Sequence, residues 1–360
     1  MKAKRQYGFE PDYAVPPGET LREVMESLNM SQRELSDRTE LTTVTINRIL
    51  QGEQPITYET ANRLELATAV PARFWNNLEA CYREQDAKLK ELERLKSGLD
   101  WLKTIPTNEL IDRGEIAPQE NKVLLLRETL GFYGVSSVDA WHAVWDKPAV
   151  AARRSPCFES RPGPASSWIR MGERKAQQVD CSPHIPTKFR ESLIAIRELT
   201  TKKPEEFEPV LKKHCSDAGV ALVLVPEMKK VPWNGATEWL SPTKAMILLN
   251  LRGKGEDKFW FSFFHEAGHV LHDIKTCVLV NDGSEEDPRE VRANQFAAET
   301  LIPSKWNADI MGASSAASIR RLAQAIGVSP GIVAGRYQFL TKKWSYHTDL
   351  IRHLKWKQKK

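Results

Sequence analysis

Apolar residues recur at three- and four-residue spacing over most of this chain, the signature of helices with one buried face. Residues 1–85 read as a series of short helices. Residues 86–145 read as longer, strongly charged ones, as in AKLKELERLKSGLDWLKTI and ENKVLLLRETLGFYG. From Ala152 to Ser167, Pro, Gly, Ser and Arg cluster without a period, which predicts a loop or linker. From about Thr187 the pattern turns mixed. FRESLIAIRELT and FEPVLKKHCSDAG predict amphipathic helices, whereas GVALVLVP (219–226) and AMILLNL (245–251) predict buried strands. FWFSFFHEAGHVLH (259–272) has the apolar density of a buried helix. The acidic stretch Asn281–Glu290 predicts a loop, residues 291–301 a helix that ends before Pro303, and the tail from Ala316 more helix. No internal repeat of solenoid period is present.

Composition narrows the class. With 360 residues, 41% apolar and 28% charged, the chain can bury real cores and is long enough for two or three domains. Disorder throughout, collagen and a disulfide-stapled miniprotein are excluded. No apolar run approaches the roughly 20 residues that cross a bilayer, and no apolar stretch follows the basic start as in a secretory signal. The five cysteines are widely spaced and form no C-x-x-C, which predicts reduced thiols in a cytoplasmic protein. The net charge of +5 is too mild to name a partner.

The N-terminal segment carries two capped short helices in succession. Ser31-Gln32-Arg33-Glu34 has the capping-box pattern, Leu41-Thr42-Thr43 gives a turn with a second cap, and Gly52 stops the second helix. Leu35, Val44, Ile46, Ile49 and Leu50 supply the apolar side. This is the helix-turn-helix plan, with the second helix in the major groove. Gln32, Thr42, Thr43, Thr45, Asn47 and Arg48 are the candidate DNA contacts, since short polar side chains and one Arg suit base edges and phosphates. A helical hairpin in a bundle would show the same pattern. Charge gives no support, because residues 1–80 hold nine basic and twelve acidic side chains. The segment from Pro16 to Glu84 resembles the HigA-type antitoxin branch of the lambda-repressor-like (XRE) family. The resemblance rests on Pro17-Gly18-Glu19, Ser31-Gln32, Thr43–Gly52, Ile56-Thr57 and Phe74-Trp75. It implies a five-helix domain that dimerises on a palindromic operator, often its own. The acidic Glu40 beside the turn departs from strong phosphate binding.

His265-Glu266-Ala267-Gly268-His269 is an H-E-x-x-H. On a helix both imidazoles share one face and can reach one Zn²⁺, with Glu266 beside them as general base. Two core histidines satisfied by other partners are the alternative. Candidates for a third ligand are Glu290, Glu299, His272 and Cys277. His272 lies around the helix from the pair, Cys277 suits a small core position, and Glu299 sits more than two turns beyond Glu290. Glu290 opens a helix with Asn294 one turn on, and this reads as a ligand plus a residue fixing a ligand imidazole. These residues resemble the ImmA/IrrE metallopeptidases: FWFSFFHEAGHVLH, then E-x-x-A-N-x-F-A from Glu290 to Ala297, then Leu301-Ile302-Pro303. The likeness extends into Ile319–Leu340. It implies a thermolysin-like zincin core that cleaves, or otherwise inactivates, repressor-type DNA-binding proteins.

The fold class expected is mainly α with a small β-sheet. It comprises a helix-turn-helix domain (1–85), a helical middle region (86–186), a metallopeptidase domain (187–310) and a helical C-terminal extension with a basic tail (311–360). Zn²⁺ on His265, His269 and Glu290 leaves a fourth position for water, and Glu266 moves its proton. Tyr337 and Arg336 are the candidates for a second oxyanion donor. Ala317–Gln338 reads as a second helix-turn-helix or as a hairpin completing the peptidase domain. Residues 342–360 hold seven basic side chains and one acidic, interleaved with Trp344, Tyr346 and Trp356, and suit either nucleic acid or a solvated end. The function expected is a DNA-binding, homodimeric regulator at its own promoter, with a zinc endopeptidase that cleaves a regulatory protein or itself. The alternatives are an antitoxin whose zincin fold only binds a toxin or is metal-stabilised, and a housekeeping peptidase whose first helices only dimerise.

Overall fold

The computed structural model describes residues 11–145, 162–273, 279–280 and 287–357. Cys157, Cys277, the acidic residues 281–286 and residues 358–360 of the basic tail lie outside them, as does most of the expected linker. Two compact units emerge: residues 1–99 with 121–124, and residues 100–120 with 125–360. The region 86–186 is divided between them.

The first unit is built from α1 (Pro17–Ser27), α2 (Gln32–Thr39), α3 (Thr43–Leu50), α4 (Tyr58–Thr68) and α5 (Ala72–Leu95). Ser31, Thr42 and Thr57 cap α2, α3 and α4, each accepting from the backbone N–H three residues on. Eight-residue helices such as α2 and α3 do not persist alone. They hold here through a shared core that includes Leu21, Leu35, Ile46, Ile49, Leu64 and Trp75. Two expectations change. The capping box at Ser31 is only half made, because the Glu34 carboxylate turns away to Arg38 at 2.6 Å. Val44 is 62% exposed rather than in the core, because Ile46, Ile49 and Leu50 already fill the inward side of α3.

The second unit opens with α6 (Thr107–Asp112), α7 (Lys122–Tyr133, of which residues 122–124 are counted in the first unit), α8 (Val138–Trp145), α9 (Pro162–Gln177), α10 (Pro186–Glu198) and α11 (Pro204–Asp217). Residues 162–167, expected in a loop, instead begin α9. Pro is tolerated in a first helical turn, and Ser166 and Ser167 are buried with the Tyr133 hydroxyl 2.7 Å from Ser167 Oγ. Then come β1 (Val220–Leu224), β2 (Gly235–Ser241), β3 (Lys244–Leu249), α12 (Glu256–His272), β4 (Leu279–Val280) and α13 (Pro288–Leu301). Last are α14 (Asn307–Met311), α15 (Ala316–Ile326) and α16 (Pro330–Thr341).

The strands form one sheet in the order β1-β3-β2-β4. β1 and β3 are parallel, with Leu222 opposite Ile247, and the remaining pairs are antiparallel, with Thr237 between Ile247 and Leu279. β2 carries no apolar alternation, so its sequence does not announce a strand. α12 packs on β2, β3, α13 and α16. It is clad in Phe259, Trp260, Phe263, Phe264 and Val270, which share a core with Ile247, Leu249, Ala297, Ile319 and Val333. α15 and α16 therefore complete this core as a hairpin, and the second helix-turn-helix reading is not needed. The chain after α16 returns to the start of α12. Gly255 bridges to His353, and Glu256 Oε2 accepts from Arg352 Nε at 2.8 Å. The basic tail is thus partly structural, not wholly solvated.

Candidate functional site

α12 sets two imidazoles one turn apart, with their Nε2 atoms 3.0 Å from each other. Glu290, in the first turn of α13, brings Oε2 to 3.1 Å from His265 Nε2 and Oε1 to 3.1 Å from His269 Nε2. All three side chains are buried and offer one ligand atom each to a single point. The helices can meet this closely because Gly268 faces α13. A Cβ there would stand 3.3 Å from the Ala293 Cα and 3.2 Å from the Phe296 ring.

The far side of each imidazole is also held. His265 Nδ1 lies 2.9 Å from Asn294 Oδ1, and His269 Nδ1 lies 2.7 Å from Asp273 Oδ2. An amide or carboxylate oxygen there calls for a proton on Nδ1, which leaves the Nε2 lone pairs pointing at Glu290. Arg292 in turn pairs with Asp273. Electrostatics favours a cation at the centre. Burial works against a charged Glu290, but its close contacts with His265 and His269 outweigh it and hold that carboxyl down at about 2. Burial also works against a charged His269, yet Asp273 and Glu290 raise it to about 10. Without a metal, a proton supplies the positive charge that these carboxylates demand.

Glu266 is wholly buried beside this set, and burial pushes its carboxyl pKa up. Thr237 of β2 donates to Oε2 at 2.7 Å, while Oε1 has no hydrogen-bond partner. β2 crosses at the closest possible range: a Cβ on Gly235 would lie 2.5 Å from Glu266 Oε1. Buried carboxylate and imidazole acceptors that converge, with an unpartnered oxygen next to them, are costly unless a cation and a polar molecule fill the space. The residues fit a divalent metal with water beside it.

The other candidates sit elsewhere. His272 is exposed and its Nδ1 contacts the Gly268 carbonyl at 3.0 Å. Glu299 accepts from the Ser304 N–H and caps the turn after α13. Arg336 and Tyr337 belong to α16, which packs on the first turn of α12, about 13 Å along the helix from His265 at 1.5 Å per residue. Arg336 bonds Asn307, and the Tyr337 ring packs on His347. Sequence reasoning missed Asp273, Arg292, Thr237 and Gly235. Asp273 had a signal, being four residues from His269 and capping the end of the same helix. Thr237 and Gly235 had none, because only sheet register brings them to Glu266.

In the first unit, Gln32, Thr42, Thr43, Asn47 and Arg48 are exposed and Thr45 half-buried. Thr42 and Thr45 spend their hydroxyls on the cap, with Oγ1 atoms 3.0 Å apart. Thr43, Val44, Asn47 and Arg48 form the outward side of α3. Gln32 and Asn47 border a groove that also takes in Arg22 and Gln51. Glu40 is not isolated, since Arg63 reaches it at 3.9 Å while holding Glu59 at 2.7 Å.

Known proteins share both halves of this arrangement. Residues 21–75 match the helix-turn-helix family, and residues 222–337 match the IrrE N-terminal-like domain, a stretch that runs from β1 into α16. Over 81 residues the chain is 30% identical to an uncharacterized HTH-type transcriptional regulator, YddM of Escherichia coli (strain K12), covering 86% of that protein and 22% of this chain. With an XRE-type helix-turn-helix in one unit and the His-Glu-His-Glu constellation in the other, the chain belongs to the HTH-type transcriptional regulators and carries an IrrE/ImmA-like domain behind the helix-turn-helix.

Proposed function

We propose that this protein is a DNA-binding transcriptional regulator whose IrrE-like domain is a zinc metalloendopeptidase that cleaves a regulatory protein or the chain itself. The observation that carries the reading is Glu266. Its carboxylate is buried, held through one oxygen by Thr237, and leaves the other oxygen free beside the His265–His269–Glu290 set. A fold that needed the metal only as a staple has no use for such a carboxylate.

His265, His269 and Glu290 would hold the metal, with Asn294 and Asp273 fixing the two rings. A bound zinc ion supplies Lewis acidity, polarising a carbonyl and acidifying a water. Glu266 Oε1, the oxygen without a partner, would serve as the general base toward the attacking water and would pass the proton on to the departing amine. Thr237 keeps the other oxygen occupied, so the carboxylate presents one face only.

The helix-turn-helix would bind a palindromic operator at its own promoter as a homodimer in the cytoplasm, as in antitoxin-type autoregulation. Thr43, Asn47 and Arg48 suit base edges and phosphates, Gln32 suits a phosphate at the start of α2, and exposed Val44 suits a thymine methyl. The near-complete burial of His265 and Glu266 favours a second reading, in which the domain is a metal-stabilised module that binds a toxin without cleaving it. Glu266→Gln separates the two. On the first reading it keeps one metal per chain and operator binding, and lowers cleavage of a candidate repressor or of the chain by at least about 100-fold. Metal-loaded wild-type protein that cleaves no repressor, toxin or copy of itself, yet shifts its operator, establishes the second.

A further inference from the structure

The end of α16 and the turn after it carry a surface that neither the metal centre nor the helix-turn-helix explains. Phe339, Trp344 and Tyr346 are 53%, 61% and 49% exposed. Each ring has a cation over it. Lys342 Nζ lies 4.3 Å from the Phe339 ring and 5.9 Å from that of Trp344, and Lys343 Nζ lies 5.3 Å from that of Tyr346. The Arg336 guanidinium stands 6.0 Å from Phe339. Among the described residues neither lysine pairs with a carboxylate, and no acidic residue occurs between Pro330 and Thr348. Three solvated rings interleaved with unneutralised cations are unusual on a surface otherwise laced with i,i+4 ion pairs.

The surface is also ordered. Gln338, itself buried, donates to the Tyr346 carbonyl at 2.6 Å, and buried Tyr337 stacks edge-on against His347 at 4.9 Å. Lys342 and His347 both take left-handed backbone conformations that fold the segment back on α16. The backbone that carries Tyr346 is therefore fixed against α16 before any ligand arrives, which lowers the ordering cost of binding.

We infer that this patch binds single-stranded nucleic acid. Every base has a π-face, so exposed rings take bases without regard to sequence, while lysines alongside meet the phosphates. An acidic protein segment would use the lysines and leave three rings in water. Duplex DNA offers no unstacked base to the rings.

The test uses the full chain with Thr43→Ala, Asn47→Ala and Arg48→Ala, so that the helix-turn-helix contributes little. Fluorescence anisotropy follows labelled oligo(dT) and oligo(rU) of about 20 nucleotides at several salt concentrations. At least one oligonucleotide is expected to bind, and which one assigns the patch to DNA, RNA or both. Trp344→Ala should weaken binding roughly 10-fold. Lys342→Ala with Lys343→Ala should flatten the slope of log affinity against log salt by about 1.4, at about 0.7 per lost phosphate contact. These side chains are exposed, so circular dichroism should show an unchanged fold. No binding of either oligonucleotide overturns the inference. So does binding that neither set of substitutions alters, a blunt duplex that binds as tightly, or a polyglutamate chain that competes equally at matched charge.

Discussion

Asp273 accepts from His269 with one carboxylate oxygen and meets the Arg292 guanidinium with the other. A single residue thus ties the second imidazole to the helix that carries Glu290. Asp273→Asn should leave the fold intact and weaken metal binding about 10- to 100-fold, read by competition with a chromogenic chelator. Gly235→Ala tests the opposite side. A methyl group placed 2.5 Å from Glu266 Oε1 must push the carboxylate or the strand aside. We expect metal content to stay near wild type while cleavage falls by at least about 100-fold; unchanged cleavage would mean that Glu266 is not the base. At this scale the convergence of His265, His269 and Glu290 could be read from local spacing, because H-E-x-x-H and E-x-x-x-N each report one helix face. Thr237 could not be read, since it stands on the inward side of β2 where an apolar residue is expected. The same choice of a polar residue hid the strand itself.

Helix ends decide much of the first unit. The Thr42 hydroxyl accepts from the Thr45 N–H and begins α3. Thr42→Ala is expected to destabilise this unit by about 1 kcal/mol, measured by urea denaturation. It should weaken operator binding as well, because α3 carries Thr43, Asn47 and Arg48. The capped starts at Ser31 and Thr42 were visible as Ser or Thr before an apolar run, whereas the cap at Thr57 was not read from the sequence. The reciprocal half of the box at Ser31 was not, because Arg38 competes for Glu34 one turn away. A complete box occurs instead at Ser315, where Ser318 returns the bond. Between α12 and α13, Gly268 governs the approach of two helices. A Cβ at this position forces its neighbours to yield by a few tenths of an ångström. Gly268→Ala should therefore preserve the fold and weaken metal binding by moving Glu290 away from the imidazoles, with a chelator titration as the check.

The fold class was legible in the chain as a whole: helical units and a small sheet follow from periodicity. The return of the C-terminal segment to α12 was not, because Arg352 sits in a basic run that looks solvated. Arg352 holds Glu256, which is 2% exposed and also accepts from Ser329 at 2.8 Å. Arg352→Ala leaves that carboxylate buried with only two neutral donors, the Ser329 hydroxyl and the backbone N–H of residue 352, and should cost about 3 kcal/mol, near the low end for a broken buried pair because Arg352 is itself a third exposed. Calorimetry should show the larger unit melting earlier while operator binding persists. The closure of residues 352–354 onto residues 254–256 also gives the molecule an order in time. A ribosome adding about 5–20 residues per second completes the first unit's helices early, and needs roughly ten to fifty seconds more to reach His353. During that interval a nascent chain can present a folded helix-turn-helix while its IrrE-like half still lacks its last support, and a premature stop codon near residue 340 would fix it permanently in that condition.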